Sequence, residues 1–215
     1  MRATLKSPRN TLEEYLAMER KSKERHEYLD GEIYSMAGES PRHGDISSNL
    51  VAILNLQLRG GPCRVWTKDV KILSGSLPYG SRSREGLFSY PDAVIVCGIP
   101  QFLDEHQDVL CNPKVIIEVL SPSTEAFDRG EKFHRYRTHN SSLSDYLVVE
   151  QNKPFLEHFT RLENGLWAIK SSILDLRENL YVESIECTLR LAEVYDRVSF
   201  ISAELEESAT NESGS

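Results

Sequence analysis

Two short apolar runs constrain the fold more than any other feature of the sequence. One covers residues 93–97, directly after Asp92, and the other covers residues 115–120 and contains Glu118. Both are rich in β-branched residues and are bounded by Pro or Gly, which is typical of strands buried on both faces of a sheet. Glu118 is therefore expected to be buried, and an ionised carboxylate in an apolar interior needs a partner such as a metal ion or a lysine.

The bulk composition indicates a globular protein with one domain. The chain has 215 residues, of which 40% are hydrophobic and 27% charged, enough for a sizeable core. No apolar stretch approaches the ~20 residues that a membrane helix needs, and the N-terminus carries no secretion signal. The four cysteines lack metal-binding spacing, and Cys97 is expected to be a free thiol in a buried strand. These features predict a reduced, cytoplasmic protein without a membrane partner.

The net charge of −8 argues against a broadly basic nucleic-acid-binding surface. Four of the negative charges lie in the last twelve residues, however. Phosphate contacts act over a short range, so a local basic track is compatible with the overall charge.

The remaining pattern predicts an α/β domain with a mixed central sheet. Residues 1–10 are expected to be a flexible N-terminus, 11–200 a single domain and 201–215 a disordered acidic tail. Before the two apolar strands, the predicted elements are a helix opened by a Thr11–Glu14 capping box, a hairpin with Asp30-Gly31 at its turn, a loop at 38–44, a helix at 45–58, a strand at 63–73 and a mobile loop at 74–89. After them come a helix with Asp128 as N-cap, a strand at 146–150 and a hairpin around Asn164-Gly165.

Acidic and basic residues on these elements can form one site. If the strands that carry Asp92 and Glu118 are neighbours, the two carboxylates converge, and a cation must offset their repulsion. A small set of oxygen ligands suits Mg²⁺ or Mn²⁺, which can activate water and stabilise charge on a phosphate. Lys132 and Tyr136 are four residues apart and share one face of the following helix, from which Lys132 could assist.

Several segments of the sequence together resemble a known family. The segments that carry the resemblance are Glu27 with Asp30-Gly31-Glu32, Ser40-Pro41 with His43, Pro91-Asp92, the run from Glu118 to Thr124, Asp128, Lys132 with Tyr136, and Asp145 to Val148. Together they are similar to the Uma-type family of restriction-endonuclease-like proteins within the PD-(D/E)XK nuclease superfamily.

The resemblance implies a restriction-endonuclease-like αβββαβ core, with an N-terminal helix and hairpin and a C-terminal hairpin. It also implies a metal-dependent endonuclease that hydrolyses DNA, with Mg²⁺ (or Mn²⁺) bound by Asp92, Glu118 and the carbonyl of Val119. The sequence departs from the superfamily at Leu120, where the catalytic lysine usually stands; the narrower family points to Lys132 instead.

Other readings stay open from the sequence alone. Glu27, His43 and Tyr136 can support the site, or can be a helix-end acid, a capping residue and a core aromatic. Equally, Asp92 can be a turn residue at a strand start, Glu118 a structural buried acid paired with a lysine or a backbone donor, and Lys132 a solvated helix lysine. The protein could be a catalytically inactive nucleic-acid-binding or interaction module on the same fold, or a glycosidase that uses two carboxylates without a metal. A homodimer would suit cleavage of both strands of a duplex.

Overall fold

The computed structural model of the protein describes residues 9–36, 38–75 and 82–200. Most of the expected flexible N-terminus (residues 1–8) and the expected acidic tail (201–215) lie outside the described residues. In chain order the elements are α1 (Leu12–Glu19), β1 (His26–Leu29), β2 (Glu32–Ser35), α2 (Pro41–Gln57), β3 (Cys63–Thr67), β4 (Lys71–Ser74), β5 (Leu87–Ser89), β6 (Ala93–Cys97), β7 (Val109–Leu110), β8 (Val115–Leu120), α3 (Glu125–Phe127), a π-helical turn (Asp128–Lys132), α4 (Phe133–His139), β9 (Asp145–Glu150), β10 (Leu156–Arg161), β11 (Trp167–Ile173), β12 (Asn179–Val182), a 3-10 turn (Glu183–Ile185), β13 (Cys187–Arg190) and α5 (Leu191–Val194).

A six-stranded mixed sheet forms the centre of the fold. Its strand order is β11-β10-β9-β8-β6-β3. The β8–β9 pair is parallel, and the other neighbours are antiparallel. The predicted α/β class with a mixed sheet is therefore confirmed, and the two apolar runs of the sequence are adjacent strands within this sheet.

The alternation of side chains along β8 separates the two faces of the sheet. Val115, Ile117 and Val119 belong to one core cluster, which includes the apolar residues Ile46, Leu50 and Leu54 of α2. Ile116 and Leu120 belong to the cluster on the opposite face, with Phe133 and Tyr136 of α4. Because side chains alternate along a strand, Glu118 points to the α4 face between two apolar neighbours.

The N-terminal hairpin belongs to a second sheet rather than to the edge of the central one. β1 and β2 meet at Asp30 (φ 49°) and Gly31 (φ 95°), as the Asp-Gly signal predicts. A Cβ at Gly31 would lie 2.6 Å from Cβ of Arg9, so only glycine fits there. The second sheet has the strand order β2-β1-β5-β4-β7.

Several predicted boundaries were wrong. The single strand expected at 63–73 is two strands, β3 and β4, which belong to different sheets. The loop expected at 74–89 contains β5, while its residues 76–81 lie outside the described part. Helix α2 begins at Pro41, because the side chain of Ser40 accepts a hydrogen bond from the backbone N–H of His43. His43 therefore lies in the first turn of a helix and not in a loop.

The cysteines also differ from expectation. Cys63 on β3 and Cys97 on β6 are direct cross-strand partners and form a disulfide bond. Cys97 is therefore not a free thiol, whereas Cys111 and Cys187 are free. Among the described residues, no helix combines the length and the apolar character that a bilayer span requires.

Candidate active site

The two predicted carboxylates meet on adjacent strands. Asp92 directly precedes β6, whose first residue, Ala93, pairs with Ile117 of β8. Its side-chain oxygen Oδ2 accepts a hydrogen bond of 2.7 Å from the backbone N–H of Val119. This contact fixes Asp92 beside Glu118, as the neighbouring-strand hypothesis requires.

Lys132 also reaches this site. Its Nζ lies 3.0 Å from Glu118 Oε1, 3.2 Å from Glu27 Oε1 and 3.3 Å from Asp128 Oδ1. Burial alone would lower the pKa of Lys132, but the negative charges of the surrounding carboxylates, that of Glu118 first, outweigh burial and raise the pKa well above its ordinary value. Lys132 is therefore a buried ammonium held by three carboxylates.

A π-helical turn directs Lys132 inward. The turn covers Asp128–Lys132, lies between α3 and α4, and buries both of its end residues. Such turns insert an extra residue into a helix and are frequent at functional sites. The prediction that Asp128 caps the start of this helix was wrong, because the helix begins at Glu125 and the side chain of Asp128 pairs with Lys132 instead.

Tyr136 holds the carboxylate of Glu118 from the other side. Its hydroxyl donates a 3.0 Å hydrogen bond to Glu118 Oε1 and lies 2.8 Å from the Ser89 hydroxyl. Burial raises the pKa of Tyr136 well above its ordinary value, so the phenol is a neutral donor. Tyr136 is thus packed in the core and also contacts the site, which combines the two roles that the sequence left open.

His43 contacts the second carboxylate. Its Nε2 lies 2.7 Å from Asp92 Oδ1. Burial alone would lower the pKa of His43, but the hydrogen bond and negative charge of Asp92 raise it. One ligand atom each from Glu39, His43 and Asp92 lie within 4.8 Å of one another, a spacing that can hold a metal ion. Glu39 was not among the predicted site residues, because it lies outside the helix and helical spacing could not reveal it, although it stands only four residues before His43.

Apart from Tyr136, which lies behind Glu118 in the core, these residues line one cavity of about 700 Å³. Five of the lining side chains are acidic, namely Glu27, Glu39, Asp92, Glu118 and Asp128, whereas the cationic candidates are Lys132 and His43. Burial and the nearby carboxylates Asp128, Asp92 and Glu27 raise the pKa of Glu118 well above its ordinary value, and Lys132 offsets only part of this effect. The cavity therefore has more acidic than basic side chains, and the neighbouring negative charges raise the electrostatic cost of ionising Glu118, a cost that a bound cation would lower.

The donor set fits a divalent cation. Carboxylate oxygens suit Mg²⁺ and Mn²⁺, and an imidazole is better suited to Mn²⁺ or other transition metals than to Mg²⁺. In Glu118, Oε1 accepts a hydrogen bond from Tyr136 and forms an ion pair with Lys132, while Oε2 accepts no hydrogen bond from the residues that the structure describes. This oxygen is available to a cation in the cavity.

Comparisons with known proteins agree with this fold. A crystal structure of a putative nuclease belonging to DUF820 from Anabaena variabilis superposes with a TM-score of 0.68, at 15% identity, and the match covers 88% of this chain and 99% of that one. The two proteins share this mixed α/β fold. Residues 12–192 match the family model Uma2, described as "Putative restriction endonuclease", and the chain belongs to this family. The resemblance inferred from the sequence is thereby confirmed.

Two relatives come from Synechocystis sp. The uncharacterized protein slr1290 is 33% identical over 193 residues, which cover 90% of this chain and 95% of that protein. The uncharacterized protein sll1609 is 31% identical over 159 residues, which cover 74% of this chain and 85% of that protein.

Proposed function

We propose that this protein is a metal-dependent endonuclease that hydrolyses phosphodiester bonds in DNA. The observation that carries the proposal is the contact between Lys132 and Glu118, beside Asp92, in a cavity with more acidic than basic side chains. A phosphate would be repelled from such a cavity unless a cation accompanied it. Membership of the Uma2 family supports the same reaction class.

The metal ligands in this proposal are Asp92, Glu118 and the carbonyl of Val119, with His43 and Glu39 able to add donors. When bound, Mg²⁺ or Mn²⁺ would supply an activated water and stabilise the charge on the phosphate. Val119 also orients the site through its backbone N–H, which holds one oxygen of Asp92. His43 holds the other oxygen of Asp92.

The remaining residues supply a positive charge and hold the charged side chains in place. Lys132 stays protonated and can donate a hydrogen bond to the phosphate or to the attacking water, where it would stabilise negative charge in the transition state. Glu27 and Asp128 retain the lysine in place. Tyr136 keeps the carboxylate of Glu118 turned toward Lys132.

The main alternative is a catalytically inactive nucleic-acid-binding module on the same fold. The feature that separates the two is whether Lys132 points at the pair of carboxylates formed by Asp92 and Glu118. The contact of Lys132 with Glu118 favours the enzyme. A homodimer and a cytoplasmic location stay predictions.

The test begins with metal binding, because a cleavage assay can fail when the wrong DNA is supplied. Mn²⁺ is titrated by calorimetry into the wild type and into Glu118→Gln. Glu157→Gln is the control, because Glu157 lies on β10, does not line the cavity and pairs with Arg129. We expect binding in the wild type and the control, and loss of binding in Glu118→Gln. Equal binding in all three proteins, or no binding in the wild type with a DNA duplex present, would contradict the mechanism.

A further inference from the structure

The β1–β2 hairpin places an exposed aromatic ring directly beside the acidic cluster. Glu27 and Tyr34 are cross-strand partners, so their side chains lie on the same face of the hairpin and about 5 Å apart at Cβ. Leu29, two residues after Glu27, shares this face. Tyr34 is 49% exposed, and all three side chains line the cavity.

A second aromatic residue lines the same cavity from a different element. Phe127 is the last residue of α3, precedes Asp128 and is partly exposed. Within the described part of the chain, neither Tyr34 nor Phe127 belongs to a core cluster or stacks on another aromatic ring. Both rings are therefore free to pack against a ligand.

The cation that lines the cavity, Lys132, and two cations next to lining residues, Lys68 and Arg129, are already engaged by protein carboxylates. Lys132 contacts three of them. Lys68 pairs with Glu39. Arg129, which follows Asp128, pairs with Glu125, Glu150 and Glu157. Duplex DNA is normally held by many lysine and arginine contacts to phosphates. Apart from a single contact of Lys132 with the cleaved phosphate, these three side chains do not supply such a cationic track.

We propose that the cavity binds an unpaired nucleotide of DNA, with the base packed on Tyr34 and Phe127 and its phosphate at the carboxylate cluster. The inference rests on the proposed nuclease function, because the bound nucleotide is the one whose phosphate is cleaved. Single-stranded DNA suits this cavity for two reasons. Its bases are available for stacking on aromatic rings, and stacking requires no long cationic track.

The test measures binding without turnover. A labelled mixed-sequence DNA oligonucleotide, single-stranded or annealed to its complement, is titrated with the wild type, Tyr34→Ala and Tyr34→Phe in Ca²⁺ by fluorescence anisotropy. Tyr34→Phe is the matched control, because it keeps the ring and loses only the hydroxyl contact with Glu32. We expect the wild type to bind the single strand at least about tenfold more tightly than the duplex.

Tyr34→Ala should weaken single-strand binding by about tenfold, and Tyr34→Phe should bind like the wild type. The plot of log affinity against log salt concentration should have a slope no steeper than about −2, equivalent to roughly three phosphates. The proposal is overturned by equal or tighter duplex binding, by no binding of either DNA, by a steeper slope, or by an unchanged affinity in Tyr34→Ala.

Failure of this inference can be told apart from failure of the nuclease function. If the protein cleaves duplex DNA in Mg²⁺ and also binds duplex more tightly than single strand, the nuclease function is supported and the proposal that the cavity binds an unpaired nucleotide is overturned. Preferential single-strand binding that depends on Tyr34, without Glu118-dependent binding of Mn²⁺ in calorimetry, would overturn the nuclease function and support the nucleotide site.

Discussion

The ammonium of Lys132 lies 3.0 Å from the carboxylate of Glu118, although one residue ends a π-helical turn and the other lies in the middle of a buried strand. Both side chains are at least 94% buried. Each of two ions buried to this degree is stabilised by the other, because removal of one leaves an uncompensated charge in the interior. The stability of the fold and the chemistry of the site therefore share this pair.

The first prediction concerns loss of the buried cation. Lys132→Met should reduce the nuclease activity by about 100-fold or more, because the positive charge at the phosphate is lost. It should also lower the free energy of unfolding by about 3–5 kcal/mol, because buried carboxylates lose their partner. Denaturant unfolding and a cleavage assay measure the two effects.

The control is Lys170→Met. Lys170 pairs with Glu183 at 2.9 Å but is 40% exposed, so its removal should cost less than about 1 kcal/mol. Adding Glu118→Gln to Lys132→Met should recover part of the lost stability, since one of the stranded charges is removed. Equal stabilities of Lys132→Met and Lys170→Met would show that the buried pair is not formed.

The second prediction concerns the position of Glu118. Tyr136→Phe keeps the aromatic ring in the core but removes the hydroxyl that donates to Glu118. We expect the Mn²⁺ affinity to fall by about tenfold, a typical effect of losing a hydrogen bond to a metal ligand. Calorimetry of Mn²⁺ binding measures the change.

Tyr195→Phe serves as its control, because the Tyr195 hydroxyl donates to backbone carbonyls of Glu150 and Phe155 instead. Both variants lose hydroxyl hydrogen bonds, so similar losses of stability are expected, while only Tyr136→Phe should weaken metal binding. Unchanged Mn²⁺ affinity in Tyr136→Phe would assign this tyrosine to packing alone.

Much of this site follows from local sequence pattern. β-branched runs that surround an acid predict β8, and strand alternation then decides that Glu118 shares a face with Ile116 and Leu120. The four-residue spacing of Lys132 and Tyr136 likewise predicts that both point the same way, and both contact Glu118 in the structure.

Other parts of the fold depend on contacts between distant segments, which local pattern does not record. The turn that divides residues 63–73 between two sheets is one example. The local sequence predicts that these residues form strand, but it does not predict which sheet each strand joins. Glu39 is another, because a residue outside regular structure reaches Asp92 only through the packing of α2 against the sheet. The π-helical turn also has no period of its own from which sequence could predict it.

The third prediction concerns acid stability. Burial alone would raise the pKa of Asp108, but hydrogen bonds from Arg20 and Lys71 lower it to about 2. A carboxylate with a lowered folded-state pKa stabilises the fold above its unfolded-state pKa of about 3.9, and this stabilisation is lost as the pH falls toward the folded-state value. The wild type should therefore lose stability more steeply than Asp108→Asn between about pH 4 and pH 2.

At pH 7, Asp108→Asn should reduce the free energy of unfolding by about 1–3 kcal/mol, because charge-assisted hydrogen bonds to Arg20 and Lys71 are lost. Asp45→Asn is the control, since Asp45 is an exposed residue of α2 that makes no ion pair or side-chain hydrogen bond with the residues that the structure describes. Urea unfolding across the acid range measures both variants. Parallel acid profiles of the wild type and Asp108→Asn would contradict the assignment.

The fourth prediction concerns the disulfide between Cys63 and Cys97. The bond joins residues 34 apart in sequence, and closing a loop of this size stabilises a fold by about 2–4 kcal/mol. The double substitution to serine at both positions should cost that amount in denaturant unfolding, whereas Cys111→Ser should cost little. Dithiothreitol should destabilise the wild type similarly and leave the double variant unchanged.

The loss should be concentrated in β3, for a reason of topology. β3 is an edge strand of the central sheet and pairs only with β6 there, so the disulfide is the covalent link that holds this edge. Hydrogen exchange of the β3 amides should accelerate on reduction more than exchange in β8, which is paired on both sides. Four titratable thiols in the unfolded, unreduced protein would show that the bond does not form, and β3 would then be held by its backbone ladder alone.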